Sequence, residues 1–323
     1  MQQAAACCTV FIRGGAKLAM HRVPFSTHRK KPLNAFIVLV ALIVLAYYAL
    51  VAIWPFVFNI WLTFRKTDMI SEDKFIGLSN YRFLFADPIF WKSLWHNLYY
   101  LGVMVSVGMI TSLLFAALIH RTGGIMRKIY TALIFAPVVT SVVATSLVWI
   151  LLYFPKIGLF ANLISSVLGV SRDKLVFLQG TSTALLCVMI MDIRRDTGIR
   201  TVIFLTGMDE IPDSLFESSL IDGASSVRQF FRITVPLLRP QMIFIAAIYS
   251  INAIRVYVPI YMMTGSPPGG PAHSTMVLTL HMYLSAFYGQ RFGYGSSISM
   301  VMFVILFGLV ILEIRSFQQK WEY

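Results

Sequence analysis

From residue 32 onward the chain alternates long apolar stretches with short polar ones. The apolar stretches cover residues 34–64, 94–119, 130–153, 181–208, 237–263 and 294–314. Each reaches the ~20 residues that a helix needs to cross a hydrocarbon core. In lipid every backbone polar group must find its partner internally, so such stretches read as helices. The pattern predicts an all-α polytopic membrane protein with six transmembrane helices. Pro55 and Pro137 fall inside the first and third stretches and predict kinks, because proline withholds an N–H and crowds the preceding turn. Trp91, Trp95, Trp149 and Tyr153 lie near span ends, as interfacial aromatics do. In the loop 155–180 the apolar residues 159–170 predict a short helix at an interface, and the Gly/Pro-rich run 265–271 predicts an open loop.

The polar-rich interruption at 211–240 has the punctuation of two short helices. Pro212 suits a first helical turn, and Ser214 with Glu217 three residues on predicts a capping box. Leu215, Phe216, Ser219 and Leu220 line one side of that helix. Asp222-Gly223 breaks it, since glycine tolerates the positive φ of a sharp corner. Ser225 then caps a second helix carrying Val227, Phe230, Phe231 and Val235 at helical spacing, and Pro236 ends it. The expected product is a hairpin, about 211–236, whose apolar faces need either a partner groove or a membrane surface.

Composition supports the membrane assignment: 58% of residues are hydrophobic and 13% charged, about half the charge of an average soluble domain. The net charge of +13 does not point to nucleic acid, because membrane proteins concentrate Lys and Arg on the cytoplasmic side. A leader, residues 1–31, carries Arg13, Lys17, Arg22, Arg29, Lys30 and Lys31 with no acid, and reads as a disordered cytoplasmic tail. Residues 32–323 form the membrane domain. Arg121, Arg127 and Lys128 mark the next inner turn, and Arg315 and Lys320 the end. The loop with Arg65, Lys66, Asp68, Glu72, Asp73 and Lys74 mixes signs and belongs outside. Both termini and the hairpin are then cytoplasmic. Cys7, Cys8 and Cys187 cannot build a disulfide framework, His273 and His281 read as solvated rather than metal-binding, and no Gly-rich lysine loop for phosphate occurs. The chain is not expected to be an enzyme or to hold a metal or cofactor of its own.

The hairpin's Glu217-Ser218-Ser219, Asp222-Gly223-Ala224, Ile233 and Pro236 resemble the coupling motif of ABC importer permeases, which usually have Glu-Ala-Ala at the first three positions. Asp-Gly-Ala and the pair Pro236 and Pro240 resemble the carbohydrate-uptake, maltose-type branch. Flanking matches are Phe75–Tyr81, Phe204-Leu205-Thr206-Gly207, Ile260–Gly265 and Gly293-Tyr294-Gly295-Ser296. The resemblance implies one subunit of a permease pair in a bacterial inner membrane. It also implies two cytoplasmic ATPase subunits holding ATP and magnesium, and a periplasmic binding protein that delivers cargo. The coupling residues it implies are Glu217, Asp222, Gly223, Ala224, Phe230, Phe231, Ile233 and Pro236. Of these, Phe230 and Phe231 are apolar anchors, and Gly223 permits close approach.

Charges inside the spans are the remaining signal. Asp192, Arg194, Arg195, Asp196 and Arg200 lie near the middle of the fourth span and Arg255 in the fifth, where each costs about 2.5–3.5 kcal/mol by insertion scales. Spacing lets Asp192 reach Arg195 and Asp196 reach Arg200, which would serve the fold alone. Two acids facing four arginines predict a net positive cavity, and guanidinium forks match carboxylates. Similar permeases typically have Trp followed by a basic residue where this chain reads Met191-Asp192-Ile193-Arg194. The expected transport path is Asp192, Arg194, Arg195, Arg200, Asn252, Arg255 and Tyr257, and the expected cargo an acidic oligosaccharide of uronate (alginate-like) type. The alternative is an ion-driven secondary transporter using these charges as a relay, which predicts an internal repeat that the chain lacks.

Overall fold

The computed structural model describes residues 35–70, 73–169, 171, 175–265 and 267–317. The basic leader, Glu72 and Lys320 lie outside the described residues. Two units divide at residue 53. The first holds α1 (Ala35–Tyr48) and a π turn at Ala49–Ile53, and its described side chains are all exposed. Such an apolar helix without a polar face suits surroundings of lipid. The π turn stands just ahead of Pro55, whose missing N–H disturbs the ladder there.

The second unit opens with α2 (Trp54–Thr63) and a small antiparallel ribbon, β1 (Arg65–Thr67) paired with β2 (Asp73–Phe75), Arg65 opposite Phe75. The all-helical expectation is amended by this ribbon. Then come α3 (Ser79–Ala86), α4 (Pro88–His120), α5 (Gly124–Phe135), α6 (Val142–Leu152), α7 (Leu159–Leu168) and α8 (Ala184–Asp209). Asp87 caps α4 by accepting the Ile89 N–H at 2.8 Å, with Pro88 in the first turn where its missing donor is harmless. The short helix expected in the loop forms as α7 and closes on Gly169.

Among the described residues, three apolar helices are long enough to cross a membrane: Phe36–Thr63, Pro88–His120 and Phe292–Glu313. Two further pairs qualify only as bent spans. The third expected span is not a kinked helix but a sharp corner: α5 and α6 meet at 98°. Pro137 stands in a 3₁₀ turn at Ala136–Val139, and Thr140 and Ser141 become extended before α6 starts. The fifth is also broken. Short α10 (Ser226–Gln229) and α11 (Val235–Leu237) meet α12 (Arg239–Ile254) at 62°, the break falling at Leu238 just ahead of Pro240. The helix stops at Ile254 rather than continuing to 263; α13 (Val258–Met263) is a separate piece. The fourth span, α8, has 26 residues, about 39 Å at 1.5 Å per residue. It is long enough to cross, but five charged residues between 192 and 200 set it apart from the apolar helices.

Between the Gly/Pro run and the last expected span the chain holds α14 (Leu278–Tyr283) and a π turn at Leu284–Tyr288, before α15 (Phe292–Phe317). His281 is accordingly buried rather than solvated. Its Nε2 lies 3.4 Å from Asp87 Oδ2, and Asp87 also accepts the Tyr294 hydroxyl at 2.6 Å. Tyr153, expected at an interface, is core: it packs on Phe160 and Phe177 and donates to the Cys187 carbonyl at 3.1 Å. At the centre α4 runs along α8. Apolar clusters on either side join Leu185, Val188 and Met191 to Ile260 and Leu280, and Phe204 and Leu205 to Leu238 and Ile245.

Candidate functional site

The charged middle of α8 faces α4 and α12. Asp192 and Asp196 share one cation: Arg195 Nη2 stands 2.9 Å from Asp192 Oδ1 and 3.0 Å from Asp196 Oδ1. Tyr100 on α4 donates its hydroxyl to Asp192 Oδ2 at 2.5 Å, so the aspartate is held from both sides. The expected Asp192–Arg195 pair therefore forms. The Asp196–Arg200 pair does not, because Arg200 turns toward α4. Arg200 is fully buried, donates to the Met104 carbonyl at 2.9 Å, and lies over the Tyr249 ring at 4.1 Å. Gly108 makes the room: a Cβ there would come within 2.0 Å of Arg200 Nη1.

A cavity of about 290 Å³ opens beside this cluster, at the break between α12 and α13. Its lining brings together Asp192, Arg195, Asn252, Arg255 and Tyr257 of the expected path, with Tyr100, Asp196 and Tyr249 added. Two expected members are absent from it. Arg194 points outward, into an apolar groove with Phe115, Tyr130 and Leu133, and Arg200 is sealed in the core. The lining thus carries two carboxylates against two guanidinium groups rather than a net positive charge. Arg255 is the exception within this balance. It is exposed at the C-terminal end of α12, and its guanidinium has no hydrogen-bond or ionic partner among the described residues.

The break that shapes the cavity is held by Asn97. Its side-chain N–H donates to the Ala253 and Ile254 carbonyls at 3.0 and 3.1 Å, and its oxygen accepts the Leu278 N–H at 2.7 Å. Carbonyls at a helix end have no partner in the helix, and here a buried amide supplies one. Asn97 and Tyr100 look like ordinary span residues in the sequence. Their partners are far along the chain, so no local signal marks them.

At the other end of α8, Asp209 meets Arg127 Nη2 at 2.5 Å and His120 Nε2 at 3.4 Å, tying α4, α5 and α8 together just before the hairpin. There α9 (Asp213–Ile221) starts from Pro212 as its cap, and no side-chain cap bond is made. The expected Ser214–Glu217 capping box is not formed, because the helix begins earlier and Ser214 already lies inside it. The corner closes as predicted: Gly223 has φ +73°, its N–H reaches the Leu220 carbonyl, and the Ala224 N–H reaches that of Ser219, the pattern of a Schellman cap. Ser225 caps the second helix through the Arg228 N–H at 3.4 Å. Gln229 joins the two arms by donating to Ser219 Oγ at 2.8 Å, a bond that alanine at 219 could not make.

Pro236 does not end the second helix. A π turn at Phe230–Thr234 carries it into α11, and the Leu238 N–H still reaches Thr234 at 3.0 Å. Phe230 and Phe231 form an edge-to-face pair 5.2 Å apart with different environments. Phe230 packs inward on the cluster around Phe204 and Leu238, whereas Phe231 is 64% exposed. Ile233 is half-buried; Glu217, Asp222 and Pro236 are exposed. Leu220, Ile221 and Val227 are also exposed, at 62–88%, so the knob has an uncovered apolar surface.

Residues 108–320 match the family described as the binding-protein-dependent transport system inner membrane component. The probable ABC transporter permease protein YurN of Bacillus subtilis is 31% identical over 273 residues, covering 83% of this chain and 91% of that one. The trehalose/maltose transport system permease protein MalF of Thermococcus litoralis is 34% identical over 271 residues, covering 83% and 89%. Among solved structures, a chain of a bacterial ABC transporter involved in the import of the acidic polysaccharide alginate has the same fold: TM-score 0.75, 18% identity, 88% of this chain and 96% of that one.

Proposed function

The chain belongs to the inner membrane components of binding-protein-dependent transport systems, the permease subunits of ABC importers, and from that premise we propose that it imports oligosaccharides bearing carboxylates. The sugar assignment draws on the trehalose/maltose relative. Coupling rests on the hairpin. Its uncovered residues Leu220, Ile221, Val227 and Phe231 offer an apolar face to a groove on a cytoplasmic ATPase, with Glu217 and Asp222 exposed beside it for basic partners. Gly223 and Ala224 let the two backbones approach, while Ile233 and Pro236 carry the movement into α12. ATP and magnesium reside on the partner ATPases, a second permease completes the pathway, and a periplasmic binding protein delivers the sugar. Both termini are cytoplasmic, and α8 is a sixth crossing. Closure of the ATPases drives a rigid-body switch whose two states cargo and nucleotide bias together.

Phe231→Ala is expected to leave the folded subunit within about 0.5 kcal/mol of wild type, as for other exposed changes. Recovery of the ATPase with the permease should fall about thirtyfold, the effect of losing an aromatic hot spot. ATPase binding at wild-type strength would remove Phe231 from the interface.

The acidic-cargo reading is carried by one observation, the unpartnered and exposed guanidinium of Arg255 beside the cavity. A cation at the end of α12 also complements the helix dipole. In the complex reconstituted in liposomes with its ATPases and binding protein, Arg255→Ala should lower ATP-driven uptake of uronate oligomers about tenfold to a hundredfold, the worth of one charged hydrogen bond. Unchanged uronate uptake with normal expression would end that reading. A second reading, a neutral oligosaccharide, is favoured by the balanced charges of the lining and by the trehalose/maltose relative. It predicts that maltooligosaccharides enter and that Arg255→Ala leaves them unaffected. An ion-driven mechanism leaves the hairpin without a purpose and would require uptake to survive ATP depletion.

A further inference from the structure

An aromatic surface begins in the cavity and leads out of it. Tyr257 lines the cavity, and its ring stacks on that of Tyr261 in α13, with centroids 5.4 Å apart and planes inclined by 20°. Tyr283, at the end of α14, packs on both at 5.2 and 6.2 Å. The π turn adds Phe287 at 5.1 Å and Tyr288 at 6.0 Å from Tyr283, and the hydroxyls of Tyr261 and Tyr288 lie 3.4 Å apart. These rings are mutually packed yet uncovered: Phe287 is 60% and Tyr288 65% exposed, and the other three are half-buried.

Two ordinary uses of tyrosine fit poorly. Core aromatics are covered, and these are not. Interfacial anchors each set one hydroxyl among lipid headgroups, whereas here Tyr261 and Tyr288 turn their hydroxyls toward each other and Tyr257 faces a polar cavity. The cavity itself sets a second constraint. At about 290 Å³ it lies at the small end of ligand sites, which run to roughly 300–1,000 Å³. Several linked sugar rings exceed what this chain's part of the cavity holds, so the rest of such a cargo lies against further surface, of this chain or of the second permease. A pyranose ring offers a C–H face that suits the negative face of an aromatic ring, and edge hydroxyls that suit phenols.

We propose that Tyr257, Tyr261, Tyr283, Phe287 and Tyr288 form a stacking track for the sugar units of an oligosaccharide that extend beyond the cavity, so that this chain selects cargo by length. The inference rests on the oligosaccharide reading above. The test uses the complete transporter in liposomes, with uronate oligomers and maltooligosaccharides of two to six units as probes. It reads the ratio of long-chain to dimer uptake. Tyr261→Ala and Tyr288→Ala should each lower that ratio about three- to tenfold, the loss of one aromatic contact, while Tyr261→Phe and Tyr288→Phe keep it near wild type. An unchanged ratio in both alanine variants overturns the track. So does an equal loss at every length, which marks these rings as contacts for the second permease or for assembly. Should wild type import neither series, the sugar reading itself fails and the track with it; import by wild type with an unaltered variant ratio removes the track alone.

Discussion

Gly223→Asp is expected to abolish ATP-driven uptake, by at least about thirtyfold if the corner is an interface hot spot, while the subunit stays folded in the membrane. Gly223 sits at φ +73° between the two arms of the hairpin. Asp and Asn are the residues other than glycine that occasionally visit this backbone region, so either one strains the corner about equally while leaving it able to form. Within the chain a Cβ at 223 meets nothing within 4 Å. An added side chain therefore projects into whatever covers the knob, and a loss of uptake with the subunit's unfolding temperature unchanged reports on a partner rather than on the fold. Gly223→Asn separates bulk from charge: it should impair coupling nearly as much if close approach is the requirement. Wild-type ATP-driven uptake in both variants, with expression unchanged, would count decisively against the hairpin as the coupling element.

The second large effect is expected at Arg200, and it is an effect on stability rather than transport. Arg200→Ala removes a side chain packed between Gly108, the Met104 carbonyl and the Tyr249 ring. The void and the lost cation–π contact should cost about 2–4 kcal/mol, seen as a lower unfolding temperature of the purified subunit. Arg200→Met refills part of the space without a buried charge and should recover part of that loss. Gly108→Ala should cost less than Arg200→Ala, because the atoms its Cβ would meet, the nearest at 2.0 Å, are the far end of the Arg200 side chain, which can shift at the expense of its bond to Met104. Combined with Arg200→Met it should cost far less than the sum, the signature of two residues competing for one space. If Arg200→Ala instead changed the cargo concentration for half-maximal uptake and left thermal stability unchanged, Arg200 would belong to the transport path and the packing described here would be wrong.

Arg255 and Arg200 show where sequence reasoning stops. Both are arginines within apolar stretches, and both read as candidates for a cargo path. One lies exposed beside a cavity and the other is enclosed against Tyr249. The difference lies in residues about a hundred positions away: Met104 and Gly108 for Arg200, and Tyr100 for Asp192. The Asp196–Arg200 pair was allowed by helical spacing, yet Arg195 took both carboxylates because Arg200 had a better place across the helix interface.

What local chemistry dictates could be read directly. Apolar length marked the helices, Gly223 marked the corner by its positive φ, Ser225 marked a cap, and the order of motifs marked the family. The corner and the cap depend on residues within a few positions of one another, and the helices and motifs on continuous runs that need no distant partner. Tertiary structure alone decided how sharply the chain turns at Pro137 and ahead of Pro240, where α12 stops, and which charges meet the cavity. A proline says that a helix is weakened but not where its freed carbonyls find partners. Asn97, which binds the end of α12 and the Leu278 N–H from a position 181 residues earlier, shows that the answer comes from packing.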